Sequence, residues 1–213
     1  MTLRRLPVYL VLDCSGSMAG EPIAAMGIGI KALLGELRND PQALETVWLS
    51  VITFASTAQQ IVPLTDIHDF EPPSLVAAGT TALGEAIEVL RESISAEVHS
   101  TTETQKGDWK PLVFLLTDGE PTDAWEEPVE AFRTERVARI IACGAGTEVV
   151  DATLKRLGDE AIRLADTDPG TLSAFMKWVT MSVTTASQQL GTAAKPEGQL
   201  ADLPSEKGIT LLF

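Results

Sequence analysis

Two apolar stretches most constrain the fold of this 213-residue chain. The first, residues 6–12, is apolar except for the phenol of Tyr9, and the second covers residues 111–117. Runs this uniform are typical of strands buried on both faces, as in a parallel sheet covered by helices. Each run leads into an aspartate, Asp13 or Asp118. Because ligands bind at the carboxyl ends of parallel strands, both aspartates are candidate site residues.

The rest of the chain alternates between strand and helix patterns. Apolar or alternating segments predict further strands at 48–54, 59–64, 137–143 and 161–165. Helical periodicity predicts helices at 22–38, 83–94, about 128–136, 150–157 and 172–183. Pro63 and the short connection before it indicate an antiparallel edge hairpin. The predicted fold class is α/β, a three-layer α/β/α domain whose doubly wound sheet is mostly parallel with one antiparallel edge strand.

The length fits a single domain, which we expect to cover residues 1–187. From Gln188 the composition shifts to glutamine, glycine, alanine, proline and charged residues. Residues 188–213 are therefore predicted to form a C-terminal tail, pinned at its apolar end, 209–213.

Charge and composition exclude several classes of partner. The net charge is -14, which argues against a nucleic-acid backbone or an anionic membrane surface. No apolar run reaches the ~18–20 residues of a membrane-spanning helix, and no signal-peptide cleavage site precedes Asp13. Two cysteines, Cys14 and Cys143, cannot make a disulfide framework, and we expect both to be reduced and buried. These features predict a cytoplasmic location.

Short oxygen-bearing side chains cluster near both aspartates. Asp13 begins the sequence Asp-Cys-Ser-Gly-Ser, and Gly-Thr-Thr at 79–81 opens another predicted helix. Carboxylates and hydroxyls on such turns suit a hard divalent cation better than a phosphate or a sugar, and Mg²⁺ (or Mn²⁺) prefers oxygen ligands and usually retains water. The candidate metal ligands are two carboxylates and three hydroxyls: Asp13, Ser15, Ser17, Thr81 and Asp118.

Other readings of the same residues fit less well. Each candidate alone is more often a helix cap or a turn former, so the metal hypothesis depends on their joint pattern. A phosphoaspartyl phosphatase would be expected to have an acid where Ser15 stands. The glycines at 27 and 29 imitate a dinucleotide fingerprint but lie inside a predicted helix, where we expect them to allow close packing on the sheet. A serine hydrolase would need a Gly-x-Ser-x-Gly turn, which is absent, and His68 and His99 are predicted to lie on the surface.

The loop after Asp118 is acidic and contains a tryptophan. Trp125 is a candidate binding hot spot or, alternatively, a cap on the core. The acids form a solvated loop, a selectivity edge or a weak second cation site; they are Glu120, Asp123, Glu126 and Glu127.

Asp13-x-Ser15-x-Ser17, Thr81 and Thr-Asp-Gly at 117–119 together resemble the metal-ion-dependent adhesion site (MIDAS) of von Willebrand factor A domains. Many relatives have two glycines before the threonine, where this chain has Gly79 and Thr80. Thr81 is the matching ligand, because it stands two residues before Leu83, and Thr80 is the alternative.

Further segments resemble bacterial TerY-like proteins, a tellurium-resistance-associated branch of this family. They include residues 9–13, Pro-Ile at 22–23, Glu-Thr-Val at 45–47, Gly-Glu-Ala at 84–86 and residues 117–123. The resemblance implies a metal-dependent, non-enzymatic protein-binding module in which a partner carboxylate completes the Mg²⁺ coordination. It also implies a role in tellurium or stress resistance, as an adaptor for a protein kinase and a PP2C-type phosphatase. Two alternatives stay open: a metal-dependent phosphohydrolase using Asp13 and Asp118, and a structural domain with an idle metal site.

Overall fold

The computed structural model describes residues 4–190, 199–204 and 208–213. Its helices are α1 (Glu21–Asn39), α2 (Pro41–Thr46), α3 (Leu83–Glu97), α4 (Glu126–Glu135), α5 (Asp151–Leu157) and α6 (Pro169–Leu190). Its strands are β1 (Leu6–Asp13), β2 (Val47–Phe54), β3 (Ala58–Asp66), β4 (Leu112–Thr117), β5 (Arg139–Ala145), β6 (Glu160–Leu164) and β7 (Ile209–Leu212).

The strands form one sheet in the order β3-β2-β1-β4-β5-β6-β7. The five inner strands are parallel, whereas β3 pairs antiparallel with β2 and β7 pairs antiparallel with β6. The predicted α/β/α class and the antiparallel edge at β3 are confirmed. The sheet has a second antiparallel edge, β7, where the sequence predicted only one.

Every residue of β1 and β4 is buried, as the uniform apolar runs predicted. One core cluster joins one face of the sheet to α1 and α6, and the other joins the opposite face to α3, α4 and α5. Strands β1 and β4 pair with each other at the centre of the sheet, and both are buried because helices cover the two faces there.

Helices α1 and α6 pack against each other at a glycine. A Cβ atom built on Gly29 would lie 2.4 Å from Cγ of Met176, whereas one on Gly27 would meet nothing within 4 Å. Gly29 therefore permits close approach of α6 rather than of the sheet itself, which corrects the sequence expectation.

The chain beyond residue 187 is only partly described. Helix α6 continues to Leu190, and the apolar end predicted to be pinned forms β7. Residues 191–198 and 205–207 of the predicted tail lie outside the described residues. The boundary between a domain at 1–187 and a tail at 188–213 stays a prediction. None of the helices in the described ranges is long and apolar enough to cross a bilayer.

Candidate metal centre

The two candidate aspartates lie at the same edge of the sheet. Asp13 is the last residue of β1, and Asp118 directly follows β4. Because β1 and β4 pair in parallel, the C-terminal ends of both strands lie at the same edge of the sheet. The Asp13 and Asp118 side chains therefore lie at the edge where ligands bind in parallel sheets.

A chain of hydrogen bonds joins these carboxylates through the serines. The Ser15 backbone N–H donates to Asp13 Oδ1 at 2.7 Å, and the Ser15 and Ser17 hydroxyls lie 3.0 Å apart. Ser17 Oγ donates to Asp118 Oδ1 at 2.8 Å. Thr117 Oγ1 donates to the other oxygen of Asp13 at 2.6 Å. The structure thus brings four of the five predicted ligands into one connected cluster.

Thr81 reaches the same place from the loop before α3. Its side chain is buried, and a Cβ atom built on Gly119, next to Asp118, would lie 3.7 Å from Thr81 Oγ1. The Thr81 N–H donates to the Thr122 hydroxyl at 3.1 Å, and the Thr122 N–H donates to the Thr81 carbonyl at 2.9 Å. Thr80 is exposed, and its hydroxyl lies 3.4 Å from Ser56 Oγ. The structure therefore turns Thr81, rather than Thr80, toward the loop that carries Asp118.

The loop before α3 is also fixed to the first site loop. The Ala78 N–H donates to the Cys14 carbonyl at 2.8 Å, and the Gly16 N–H donates to the Gly79 carbonyl at 3.0 Å. Gly79 has φ of +82°, a conformation that favours glycine. A side chain there would also collide with Ser56, whose Oγ would be 2.3 Å from its Cβ. This requirement explains a glycine immediately before the two threonines.

Both carboxylates are buried without a basic partner. Asp13 is 1% exposed and Asp118 6% exposed, and neither forms an ion pair with a Lys, Arg or His in the described part of the chain. Burial is the main cause that raises the pKa of Asp13; hydrogen bonds from Ser15 and Thr117 oppose it, and the charge of Asp118 adds to it. Burial also raises the pKa of Asp118. The hydrogen bond from Ser17 lowers that pKa, whereas the negative charge of Glu148 raises it further. Two buried acidic groups thus share one hydrogen-bonded cluster, and no basic side chain in the described part of the chain pairs with either of them.

The donor set fits a hard cation rather than a soft one. It consists of two carboxylates and three hydroxyls, which are oxygen ligands of the kind that Mg²⁺ and Mn²⁺ accept. Over residues 4–190, 199–204 and 208–213, no three His, Cys, Asp or Glu side chains gather in a metal-binding cluster. Cys14 and Cys143 are free and buried, and burial raises the pKa of both thiols, which makes thiolate ligation unfavourable.

The acidic loop after Asp118 has a structural role at two positions. Asp123 accepts hydrogen bonds from the backbone N–H groups of Gly84 and Glu85, at 3.0 and 3.1 Å, at the start of α3. Glu120 accepts from the Val150 N–H at 2.6 Å and from the Thr153 hydroxyl at 2.9 Å, at the start of α5. These two acids therefore stabilise helix starts, and neither is placed as a free second cation site.

Trp125 lies in the core and is not an exposed binding hot spot. It is 8% exposed and belongs to the core cluster of α3 and α4. The Arg156 guanidinium lies 4.7 Å from the ring centroid. Of the two alternatives, the core-capping role is the observed one. His68 and His99 are exposed, as predicted.

Two threonines that the sequence analysis names only within longer segments, without a role of their own, organise the site. The Thr117 hydroxyl orients Asp13, and the Thr122 hydroxyl accepts the Thr81 N–H. The position of Thr117 at the end of an apolar strand, directly before Asp118, was a signal for such a role. Thr122 meets Thr81 only through tertiary packing, so no local pattern indicates it.

Comparisons with known proteins identify the fold independently. A family model described as von Willebrand factor type A domain matches residues 8–177. No curated protein matches this chain.

Several solved structures share the fold at low sequence identity. Proximal thread matrix protein 1 from the mussel byssus, with a zinc-occupied MIDAS motif, is 20% identical with a TM-score of 0.61, over 84% of this chain and 48% of that one. A von Willebrand factor type A protein from Catenulispora acidiphila is 16% identical with a TM-score of 0.64, over 85% and 43%. The pilus adhesin SpaC from Lactobacillus rhamnosus GG, in an open conformation, is 14% identical with a TM-score of 0.68, over 87% and 30%.

The matched region spans less than half of each of these solved chains. At identities this low, the structural similarity shows a shared fold only. The family model, in contrast, matches residues 8–177, which is most of the chain. The chain belongs to the von Willebrand factor type A domain family.

Proposed function

We propose that this chain is a divalent-metal-dependent protein-binding module whose metal is Mg²⁺ (or Mn²⁺). The proposed ligands are Asp13, Ser15, Ser17, Thr81 and Asp118. The observation that carries the proposal is the pair of buried carboxylates without a basic partner among the described residues. Buried charges in proteins are normally paired or coordinate metals, and a divalent cation would supply the missing positive charge.

The chain's own groups suit non-catalytic binding. Asp13 and Asp118 formally neutralise a divalent ion, and the neutral hydroxyls leave it able to accept a further anionic oxygen. When bound, the metal would offer a coordination position to a carboxylate of a partner protein. Von Willebrand factor type A domains mediate protein–protein interactions, and the zinc-occupied MIDAS of the mussel protein gives further support. The nearby acids Glu120 and Asp123, which a hydrolytic mechanism could use as a base, are engaged at helix starts.

From the sequence resemblance, we also propose that the module belongs to a bacterial TerY-like system of tellurium or stress resistance in the cytoplasm. There it would act as an adaptor for a protein kinase and a PP2C-type phosphatase. The supporting segments include Thr-Asp-Gly-Glu-Pro-Thr-Asp at 117–123. Co-purification of a tagged chain from tellurite-treated bacteria with a kinase or phosphatase, lost on metal chelation, is the expected result.

Thermal unfolding of metal-stripped protein tests the metal site. Mg²⁺ at 100 times its Kd should stabilise the wild type by about 2.7 kcal/mol, or ~5–11 °C for a chain of this size. The variant Asp13→Ala should show no shift, and the control Thr80→Ala should respond like the wild type. Equal shifts in wild type and Asp13→Ala would contradict the assignment.

Two further assays separate the alternatives. Capture of a bacterial protein by the wild type in Mg²⁺ but not in EDTA, and not by Asp13→Ala, supports the binding module. A metal-induced thermal shift without such capture indicates an idle structural site. Hydrolysis of a generic phosphomonoester that disappears in Asp13→Ala would instead support a phosphohydrolase.

A further inference from the structure

A polar cavity of about 560 Å³ lies at the amino edge of the sheet, opposite the candidate metal centre. Among its lining residues, Lys110 stands just before β4, and Arg139 and Glu160 are the first residues of β5 and β6. Arg133 and Arg136, at the end of α4, form another wall. Because parallel strands begin at the edge opposite to the one where they end, the length of β4, roughly 20 Å, separates this cavity from the metal centre.

The charge of the cavity is opposite to that of the whole chain. Its lining residues within the described ranges include four basic and two acidic side chains, whereas the chain carries a net charge of -14. Of the two acids, Glu160 accepts a hydrogen bond from Arg139 Nε at 3.1 Å, and Asp159 accepts the Ile140 N–H at 2.9 Å. Charges more than ~8 Å away are largely screened at physiological ionic strength, so the local excess of positive charge governs what the cavity attracts.

Arg133 is held at the cavity wall by backbone carbonyls rather than by a carboxylate. Its Nη1 donates to the Arg156 carbonyl at 2.7 Å and to the Lys155 carbonyl at 3.3 Å, at the end of α5. No ion pair joins Arg133 to an acid within residues 4–190, 199–204 and 208–213. These bonds therefore orient the guanidinium without neutralising its charge.

Arg136 has a backbone conformation that glycine would adopt more easily. It ends α4 with φ of +52° and ψ of +30°, and among the residues that the structure describes it is the only non-glycine with a positive φ. This left-handed conformation brings Cβ too close to the following carbonyl oxygen, which is why helices commonly end in glycine. The Arg136 side chain is exposed and lines both this cavity and a neighbouring one of about 500 Å³. A strained residue beside a cavity indicates a function for its side chain.

A phosphate group is the anion that best matches these two arginines. A phosphate monoester carries close to two negative charges at neutral pH and offers three acceptor oxygens. The planar fork of a guanidinium binds such oxygens through paired hydrogen bonds. A carboxylate carries only one charge, which two arginines would exceed. The cavity is also larger than a phosphate group alone and falls within the size range of small-molecule sites.

We propose that this cavity binds a small organic phosphate, whose phosphate group is held by Arg133 and Arg136. The inference goes beyond the proposed metal-dependent function and does not rest on it, because the cavity lies at the other edge of the sheet and uses different residues.

The test is a titration of the ¹⁵N-labelled full chain, followed by NMR in EDTA at constant ionic strength. The probes are ribose 5-phosphate, inorganic phosphate and ribose. The main variant is Arg136→Gly, which removes the guanidinium and relieves the backbone strain, so it should melt at or above the wild-type temperature. The matched control is Lys31→Gln, which removes one positive charge from an exposed position of α1, on the opposite face of the sheet. Asp13→Ala controls for binding at the metal centre.

Ribose 5-phosphate should shift the amide signals of residues 132–140 and 159–160, which surround the cavity. Arg136→Gly should bind it at least ~10-fold more weakly, because a charge-assisted hydrogen bond is lost. Lys31→Gln and Asp13→Ala should bind it like the wild type. Inorganic phosphate should bind more weakly than the ester, and ribose should not bind.

Unchanged binding by Arg136→Gly would overturn the inference, and a lower melting temperature of that variant would then assign Arg136 to helix stability alone. Shifts confined to the metal centre and lost in Asp13→Ala would overturn it as well. Inorganic phosphate that binds as tightly as the ester would overturn the assignment of an organic ligand. None of these results alters the expected Mg²⁺ melting shift, so the proposed function is tested separately.

Discussion

Substituting Asp118→Asn should have opposite effects on stability with and without metal. The change removes one of two buried negative charges, and the amide oxygen can still accept the Ser17 hydroxyl, which lies 2.8 Å from Asp118 Oδ1. In the metal-free protein near neutral pH, the variant is expected to be more stable than the wild type, because Asp13 and Glu148 no longer face a third charge. With Mg²⁺, the wild type gains stability and the variant does not.

The two effects differ enough in size to be separated. Removing an uncompensated buried charge should raise the free energy of unfolding by about 1 kcal/mol or more. This corresponds to an increase of ~2–4 °C per kcal/mol in a chain of this size. The Mg²⁺ stabilisation missing from the variant is about 2.7 kcal/mol at 100 times the wild-type Kd, which reverses the order of the two proteins.

The pH dependence of the stability difference between the wild type and Asp118→Asn is a second, independent test. Burial raises the folded-state pKa of Asp118 above its unfolded value, so the folded wild type binds the proton more tightly. The wild type therefore gains stability relative to Asp118→Asn as the pH falls through this raised pKa, and loses it as the pH rises. The stability difference between the metal-free proteins should accordingly shrink in acid.

Urea and thermal unfolding of both proteins, with Mg²⁺ and with EDTA, measure these differences. Asp69→Asn is the control, because Asp69 is exposed and lies in the turn after β3. Its response to Mg²⁺ should match that of the wild type. An Asp118→Asn variant that is less stable than the wild type in EDTA, or that retains the full Mg²⁺ shift, would contradict the assignment of Asp118 as an unpaired buried charge that binds the metal.

Two further pairs of variants test the site and the fold. Thr81→Ala should weaken Mg²⁺ binding at least ~10-fold in a melting titration, whereas Thr80→Ala should leave it unchanged; the reverse result would exchange their roles. Gly29→Ala should destabilise by about 1–3 kcal/mol in urea, because its Cβ would lie 2.4 Å from Met176 Cγ. Gly27→Ala meets nothing within 4 Å and should be neutral or stabilise by up to ~1 kcal/mol; equal losses at both glycines would contradict the packing argument.

The centre of the fold was predictable because its signal is local. The uniform apolar runs at 6–12 and 111–117 indicated strands buried on both faces, and both proved to be central parallel strands. Residues that directly follow parallel strands lie at one edge of the sheet, so the sequence predicted that Asp13 and Asp118 would lie near each other. The ligand roles of these residues remain a proposal.

The features that the sequence did not indicate depend on tertiary contacts. Helix α2 is only six residues long, and Asp40 caps it by accepting the Ala43 N–H at 2.7 Å. Residues 209–212 join the sheet by pairing with β6, which no local pattern specified. For Trp125, which lies among acidic residues, the sequence left a binding hot spot and a core cap open, and only tertiary packing decides for the core. In each case, a contact with a distant or capping residue overrides local composition.

The most direct test of the metal centre is a crystal structure grown with Mn²⁺, with anomalous diffraction data. We expect one anomalous peak within bonding distance, directly or through water, of the proposed ligands: Asp13, Ser15, Ser17, Thr81 and Asp118. Well-ordered electron density for these residues without an anomalous peak at saturating Mn²⁺, or a Mn²⁺ ion bound only at other residues, would contradict the assignment of the metal site.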